Sequence, residues 1–196
     1  MLDRLLSILA PHHCLGCQKQ GSLLCSRCSQ SLKPPLLTHD WITSVAAYNG
    51  LAKQLIWQLK SAGAQAAATE MATLMLPLLP AGSWTLIPVP TATSRARQRG
   101  YDQAELLARE LSRLSRLPRK HYLARQGQQH QVGANRQQRL AQLQQVYRVR
   151  HIKQVTGKSF ILIDDVTTTG ATLEAAARVL YAAGAADIKA LTFAQA

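Results

Sequence analysis

A buried strand, two aspartates, a small turn and a helix follow one another between residues 159 and 183. The strand pattern is the uninterrupted apolar run Phe160-Ile161-Leu162-Ile163, which is typical of a central strand of a parallel sheet, where both faces are covered. Strand and helix patterns alternate along the rest of the chain. The sequence therefore predicts an α/β fold in which helices flank a parallel sheet.

The alternation assigns an element to most of the chain. Strands are predicted at residues 43–48, 84–89, 159–163 and 187–193. Helices are predicted at residues 51–61, 64–79, 101–117 and 172–183, and Gly184 stops the last of them. A short amphipathic helix is expected at residues 1–11, and a mobile loop with a short helix at residues 119–150.

The turn after the strand at 159–163 has the chemistry of a phosphate-binding loop. Gly170 lets the backbone approach a ligand closely, and the first N–H groups of the next helix carry the positive end of its dipole. Asp164 and Asp165 would repel a phosphate, so they should face donors such as ribose hydroxyls, with Mg²⁺ neutralising their charge. Three hydroxyls can add donors: Thr168, Thr169 and Thr172. The pattern favours a ribose 5-phosphate site; the alternative is an ordinary helix entry with threonine caps.

The four cysteines of the chain form two C-x-x-C pairs, Cys14 with Cys17 and Cys25 with Cys28. Two such pairs are the usual way to place four thiolates around Zn²⁺. The alternatives are two disulfides or free thiols. The N-terminal residues lack a secretory signal pattern, which favours a reducing compartment and argues against disulfides. Because four protein ligands leave no open position, the predicted Zn²⁺ is structural.

Positive charge is concentrated in the middle of the chain. The whole chain has a net charge of +13, and residues 95–150 contain 13 basic and 3 acidic residues. Arginine dominates this segment, and its guanidinium pairs well with phosphates, so the excess predicts a polyanionic partner. The alternative is a basic surface that only aids solubility. The candidate nucleic-acid contacts lie on the helix predicted at 101–117: Arg109, Arg113 and Arg116.

An arginine-rich loop lies between the strand predicted at 84–89 and the next helix. Its sequence is Arg95-x-Arg97-x-Arg99-Gly100-Tyr101-Asp102-Gln103. Arginine forks and a glycine are suited to holding a pyrophosphate group at the carboxyl end of a second strand. The alternative is a basic loop in which Asp102 caps the following helix.

These motifs together resemble a known family. The run 161–172, Ile-Leu-Ile-Asp-Asp-Val-Thr-Thr-Thr-Gly-Ala-Thr, is similar to the 5-phosphoribosyl-1-pyrophosphate (PRPP) signature of type I phosphoribosyltransferases. With the four cysteines and the Arg-Gly-Tyr-Asp-Gln run at 99–103, nearly the whole chain resembles the ComF family, including its GntX-type proteins. Leu59-Lys60-x-x-Gly63 and Asn135-Arg136-x-x-Arg139 also look like family positions. The family typically has Arg-Gly-Phe-Asn-Gln, so Asp102 adds a negative charge near the expected pyrophosphate.

The resemblance implies the roles of the site residues. Asp164 and Asp165 would be the catalytic pair and face the ribose hydroxyls, the turn at 168–172 would hold the 5-phosphate, and Mg²⁺ would bind with the pyrophosphate. The residues implied to contact PRPP are Asp164, Asp165, Thr167, Thr168, Thr169, Gly170, Ala171, Thr172, Arg97, Arg99, Gly100 and Lys60.

The resemblance also implies an organisation and a function. A helix and zinc-binding module at 1–35 would precede a phosphoribosyltransferase-like domain at 40–196. The protein would handle single-stranded DNA in natural transformation or DNA utilisation, with the DNA-uptake machinery at the inner membrane as a candidate partner. The alternatives are a salvage phosphoribosyltransferase that acts on a free base with PRPP, and a PRPP-sensing regulator of duplex DNA. No apolar run reaches the ~18 residues of a membrane span, so the expected location is cytoplasmic.

Overall fold

The computed structural model describes residues 12–35, 40–61, 64–91, 100–126 and 146–196. The strands are β1 Ile42–Ala47, β2 Thr85–Pro88, β3 Leu123–Arg125, β4 Tyr147–Val149, β5 Ser159–Thr167 and β6 Asp187–Gln195. The helices are α1 Ser26–Ser29, α2 Gly50–Leu59, α3 Ala64–Met75, α4 Gln103–Ser115 and α5 Ala171–Ala182, and 3₁₀ turns lie at Leu76–Leu78 and Ile152–Gln154. None of the helices in these ranges combines the length and the hydropathy needed to cross a bilayer.

The main sheet has four parallel strands in the order β1-β6-β5-β2. The apolar run of β5 lies in its centre, where Phe160 pairs with Thr85 of β2 and with Ile188 of β6. Because the strands run in the same direction, their carboxyl ends share one side of the sheet, here called the carboxyl edge. Helices cover both faces, which confirms the predicted α/β fold with a parallel sheet.

Two apolar cores hold the helices against the sheet. The core on one face contains Leu55 of α2, Met71 of α3 and Leu107 of α4, all buried. The core on the other face is formed mainly by α5 and the β3–β4 pair. Leu23 and Leu24 of the cysteine-rich segment belong to the first core. This segment therefore packs against the helices of the sheet, and the division into 1–35 and 40–196 stays a prediction.

Two predicted elements have different ends in the structure. Strand β5 runs to Thr167 and so includes both aspartates, because β6 continues beside it and pairs Thr192 with Asp164. The helix predicted at 64–79 ends at Met75. Pro77 explains this difference, since it has no N–H for the next helical hydrogen bond, and a 3₁₀ turn follows instead.

The segment predicted as a loop and a short helix contains an antiparallel strand pair. Strands β3 and β4 pair Leu123 with Val149 and Arg125 with Tyr147. Tyr122 packs edge-on against Phe160, with ring centroids 5.9 Å apart. The prediction for 119–150 was wrong at these strands because their side chains bury against the sheet. Residues 127–145, and the predicted helix at 1–11, lie outside the described ranges.

Candidate functional site

Asp164 and Asp165 lie at the carboxyl edge, in the last part of β5. Both side chains are half-buried, and Asp164 Oδ1 accepts a hydrogen bond of 2.8 Å from the backbone N–H of Asp165. Burial, and then the negative charge of Asp165, raise the pKa of Asp164 well above its usual range. Asp164 therefore binds a proton more readily than a free carboxyl does. The negative charge of the two aspartates favours a hydrogen-bond donor or a cation beside them.

Lys60 supplies one such cation. It follows the last residue of α2, and its Nζ lies 2.8 Å from Asp165 Oδ2. The hydroxyl of Tyr101 lies 2.9 Å from the carbonyl oxygen of Leu59 and 3.1 Å from that of Ser61. Tyr101 thus holds the end of α2 beside the two aspartates. The sequence indicated Lys60 only through the family resemblance and did not indicate this role of Tyr101.

The turn between β5 and α5 has the backbone expected of a phosphate-binding loop. Gly170 has φ +78°, and a Cβ there would lie 3.2 Å from Ile42 Cδ1. Thr167 is buried, and its carbonyl accepts a hydrogen bond of 2.9 Å from Ala196. Four residues next to Gly170 are exposed: Thr168, Thr169, Ala171 and Thr172. The turn can therefore present hydroxyls and helix N–H groups to an anion at the same edge as the aspartates.

Asp102 caps α4. Its Oδ1 accepts hydrogen bonds from the N–H groups of Ala104 at 3.0 Å and Glu105 at 3.4 Å, and its Oδ2 accepts one from Thr91 at 2.8 Å. The cap that the sequence offered as the alternative is thus present, and it also fixes the chain that follows β2. Gly100 has φ +77° just before this cap. Arg95, Arg97 and Arg99 lie outside the described residues.

The four cysteines form one cluster. Their Sγ atoms all lie within 4.8 Å of one another, and the Sγ atoms of Cys17 and Cys25 are 3.6 Å apart. Tetrahedral Zn²⁺ with Zn–S distances of about 2.3 Å places its sulfurs about 3.8 Å apart. The cluster therefore fits a zinc ion, and no disulfide joins its members.

The thiols of this cluster differ in acidity. Burial opposes the ionisation of Cys14, but the N–H groups of Cys25, Cys17 and Gly16 lower the pKa of its thiol to about 6. Hydrogen bonds with Cys25 and Cys14 raise the pKa of Cys28 to about 12. The Cys14 thiol is thus readily converted to a thiolate, whereas ionisation of Cys28 would need a cation nearby.

The cysteine cluster packs against α2. A Cβ on Gly16 would lie 2.7 Å from Cys28 Sγ and 3.2 Å from Leu51 Cδ1 of α2. The backbone N–H of Leu15 donates to the carbonyl of Leu23 at 2.9 Å. Leu23 is buried in the same apolar core as the inner face of α2. The cysteine cluster therefore lies at the start of α2, and the candidate anion site lies at its end.

The predicted nucleic-acid contacts share a helix but differ in surroundings. Arg113 Nε lies 2.9 Å from Glu110 Oε2, and Arg109 Nε lies 3.5 Å from Glu110 Oε1. Glu110 is buried between them. Arg116 is exposed and ends the helix with φ +63°. Glu110 thus offsets part of the positive charge that the sequence indicated on α4.

The tyrosines of the basic segment are structural. Tyr122 and Tyr147 are buried, and the hydroxyl of Tyr147 donates to the carbonyl of Pro90 at 3.3 Å. Burial raises the pKa of Tyr147 to about 12. Neither ring is available for base stacking, because both belong to the core.

The chain is similar to known proteins over most of its length. Residues 97–196 match the family model of the phosphoribosyl transferase domain. The chain is 32% identical over 154 residues to the competence protein ComFC of Bacillus subtilis, a match that covers 76% of this chain and 62% of that protein. It is 32% identical over 184 residues to the DNA utilization protein YhgH of Shigella flexneri, covering 85% of this chain and 75% of that protein.

Among solved structures, the chain is similar to glutamine PRPP amidotransferase of B. subtilis, with a TM-score of 0.49 and 15% identity, covering 65% of this chain and 26% of that one. The match to the family model spans the strand–turn–helix motif that carries Asp164, Asp165 and Gly170. The chain belongs to the ComF family, whose competence and DNA utilization proteins it resembles over most of its length, and it carries a phosphoribosyl transferase domain.

Proposed function

We propose that the chain binds PRPP as its Mg²⁺ complex at the carboxyl edge of the sheet, holds one structural Zn²⁺ in the cysteine cluster, and handles single-stranded DNA during DNA uptake or utilisation. The observation that carries the proposal is the position of the two aspartates. They lie beside Lys60 and next to the turn at Gly170, so a diol-binding pair and a phosphate-binding turn share one edge.

The donor set supports PRPP with its metal. Asp164 and Asp165 offer carboxylate oxygens, which suit both ribose hydroxyls and Mg²⁺. Burial, and then repulsion by Asp165, raise the pKa of Asp164, and a divalent cation would relieve the repulsion. Bound Mg²⁺ supplies neutralisation of the pyrophosphate charge. The turn at 168–172 orients the 5-phosphate, and Lys60 holds Asp165 in place.

Titration calorimetry tests the PRPP half of the proposal. The protein is expected to bind PRPP with Mg²⁺ present and to bind ribose 5-phosphate more weakly, because the latter lacks the pyrophosphate. Equal weak binding of both compounds would contradict a PRPP site and leave only a phosphate-binding turn.

The DNA half of the proposal is supported by the charge and by the relatives. The chain carries a net charge of +13, and the names of two relatives refer to competence and DNA utilisation. A salvage enzyme needs the aspartate pair and the turn but has no need of the cysteine cluster or of the basic segment. We therefore expect the same chain to bind both PRPP and single-stranded DNA.

Affinity for single-stranded DNA should fall steeply with salt. Phosphate contacts release counterions, so the slope of log K against log salt should be about −0.7 for each phosphate neutralised. Fluorescence anisotropy of a labelled oligo-dT at several salt concentrations measures this slope. Replacing Arg109, Arg113 and Arg116 together with Gln should make this slope shallower. The change in slope should be smaller than the change expected for three unpaired arginines, because Glu110 already pairs with two of them.

A salt-independent affinity, or an unchanged slope in the triple variant, would contradict a DNA role for this helix. A base-transfer assay with PRPP and free bases, run beside the binding test, shows whether the chain is instead a salvage phosphoribosyltransferase. Turnover of a free base without DNA binding would assign the chain to base salvage.

The cysteine cluster supports a second measurable expectation. In Gly16→Ala the new methyl group would lie 2.7 Å from Cys28 Sγ and 3.2 Å from Leu51 Cδ1, so sulfur or helix must shift. Overpacking of this kind typically destabilises by about 1–3 kcal/mol, and zinc affinity should fall by roughly 5- to 150-fold. Competition with a chromophoric chelator measures the change, with Gln20→Ala, exposed on the same loop, as the control. Equal zinc affinity in both variants would show that the metal does not bind in this geometry.

A further inference from the structure

Trp57 on α2 is the most exposed of the large apolar side chains in the described ranges. It exposes 66% of its surface, whereas Trp84 exposes 8% and its indole N–H donates to the carbonyl of Ala81 at 3.0 Å. Trp41 is half-buried. A single exposed apolar side chain is common on soluble proteins, and the side chains around it decide whether it can bind a ligand.

Two lysines share the exposed side of α2 with Trp57. Lys53 precedes it by four residues and Lys60 follows it by three, and both spacings place side chains on one face of a helix. The opposite face is buried and holds Ala52, Leu55, Ile56 and Leu59. Residues 41–69 contain no acidic side chain. Lys53, Trp57 and Lys60 thus form a row, here called the α2 stripe, in which Lys60 is already paired with Asp165.

The α2 stripe leads into the candidate PRPP site. Its last member, Lys60, lies 2.8 Å from Asp165. The hydroxyl of Tyr101, 2.9 Å and 3.1 Å from two carbonyls at the end of α2, fixes that end. A strand of nucleic acid on the stripe would therefore run directly towards the two aspartates.

Helix α4 carries the predicted nucleic-acid contacts, and it is less suited to this task. It contains no aromatic residue, and Glu110 pairs with two of its arginines. Single strands bind to surfaces that combine positive charge with aromatic rings, because phosphates need the charge and unpaired bases need a face on which to stack. Duplex DNA offers no free base face. The α2 stripe has both features, whereas α4 has no aromatic ring and its two arginines are balanced by two glutamates.

We propose that single-stranded DNA lies along the α2 stripe, with one base stacked on the indole of Trp57 and a neighbouring phosphate paired with Lys53. This inference rests on the proposed function, and it names the surface that brings a DNA strand to the PRPP site. The Trp57 ring would act on any base, since every base has a π-face, so binding along the stripe would show little sequence preference.

The first test is anisotropy with labelled oligo-dT on wild type, Trp57→Ala, Trp57→Leu and Trp57→Phe. One stacked base corresponds to roughly a 5- to 150-fold loss of affinity on removal of the ring. Trp57→Ala and Trp57→Leu should show this loss, and Trp57→Phe should keep most of the affinity because it keeps a π-face. Circular dichroism and the melting midpoint check that each variant is folded, as expected for so exposed a side chain.

The second test distinguishes a specific phosphate contact at Lys53 from the effect of the overall positive charge of the protein. Lys53→Gln should reduce the magnitude of the salt slope by about 0.7, the value for one phosphate contact on a single strand. Lys158→Gln is the matched control, because Lys158 is exposed but directly precedes β5 and so lies at the opposite edge of the sheet. An equal effect of both substitutions would overturn the assignment of Lys53 to the stripe.

Tryptophan fluorescence gives an independent result. Oligo-dT should quench the emission of wild type, and Trp57→Phe should abolish the quenching although Trp41 and Trp84 remain. Wild type that binds no single strand would contradict the DNA half of the proposed function and the stripe together. Wild type that binds single strands, with affinity and quenching unchanged in the Trp57 variants, would overturn the stripe alone. Binding to duplex as tight as to single strands, and equally insensitive to Trp57, would also overturn it.

Discussion

Changing Asp164 and Asp165 together to Asn will weaken PRPP–Mg²⁺ binding by roughly 10²- to 10⁴-fold. Each charged hydrogen bond lost is equivalent to about 1.5–3 kcal/mol, and two of them give this range. Asparagine keeps the shape of each side chain, and at position 164 its oxygen can still accept the hydrogen bond from the N–H of residue 165. Titration calorimetry with PRPP and Mg²⁺ measures the loss.

Asp187→Asn is a matched control for this experiment. Asp187 Oδ1 accepts a 2.8 Å hydrogen bond from the N–H of Ile188, the same local contact that Asp164 makes with Asp165. Asp187 begins β6, however, at the opposite edge of the sheet. PRPP affinity should stay at the wild-type value in this variant. A double variant at 164 and 165 that binds as well as the control would contradict the site.

The melting midpoint distinguishes loss of a site from loss of the fold. The folded pKa of Asp164 is raised, so its carboxyl binds a proton more tightly in the folded chain than in the unfolded one. Folded stability therefore declines as pH rises from the unfolded value of about 3.9 through the higher folded value. Asp164→Asn removes this term, so at pH 7 the single variant should melt at the wild-type temperature or above it.

Removing the metal from the cysteine cluster should destabilise far more than the cysteine-rich segment. Structural Zn²⁺ contributes about 10–16 kcal/mol of apparent binding free energy in small zinc modules, and a whole domain is stable by only about 5–15 kcal/mol. Cys14, Leu23 and Leu24 belong to the core that also contains Leu55 and Leu59 of α2. Loss of the metal should therefore loosen α2 and, through Lys60, weaken PRPP binding.

Metal analysis, thermal melting with a chelator, and calorimetry with PRPP together check this expectation. Wild type should contain one Zn²⁺ per chain, and Cys14→Ser or Cys28→Ser should contain none. The double variant His12→Ala and His13→Ala is the control, because these imidazoles neighbour the cluster without belonging to the four-sulfur set. Metal-free protein with an unchanged melting midpoint would show that the cluster is dispensable, and zinc added back should restore PRPP binding in wild type only.

The sequence predicted the parallel sheet because its signals are local. Phe160 to Ile163 is apolar without interruption, and Gly170 stands where the chain must turn. The end of β5 could not be predicted in this way. Asp164 and Asp165 are polar and read as a loop, and only the ladder with β6, more than twenty residues further on, keeps them in a strand. Such non-local pairing leaves no trace in the periodicity of the strand itself.

The site was predicted in part for the same reason. Spacing alone indicated the four cysteines and the turn, since both are short motifs. Lys60 came only from the family resemblance, because its partner Asp165 is distant in sequence. Tyr101 and Trp57 illustrate this limit: the sequence indicated neither that Tyr101 holds the end of α2 nor that Trp57 is exposed.

The order of strands has a consequence for synthesis on the ribosome. Strand β6 comes last among the described strands, yet it lies between β1 and β5 in the sheet. Until β6 emerges, β1 has no neighbour, and the core that it shares with α2 stays open to water. The cysteine cluster, at residues 14–28, could bind the proposed Zn²⁺ long before that moment. In the nascent chain, the cysteine-rich segment would then be ordered by its metal before the sheet is complete. The exposed edge of β1 would be open to aggregation, and to chaperones, until translation of β6 is complete.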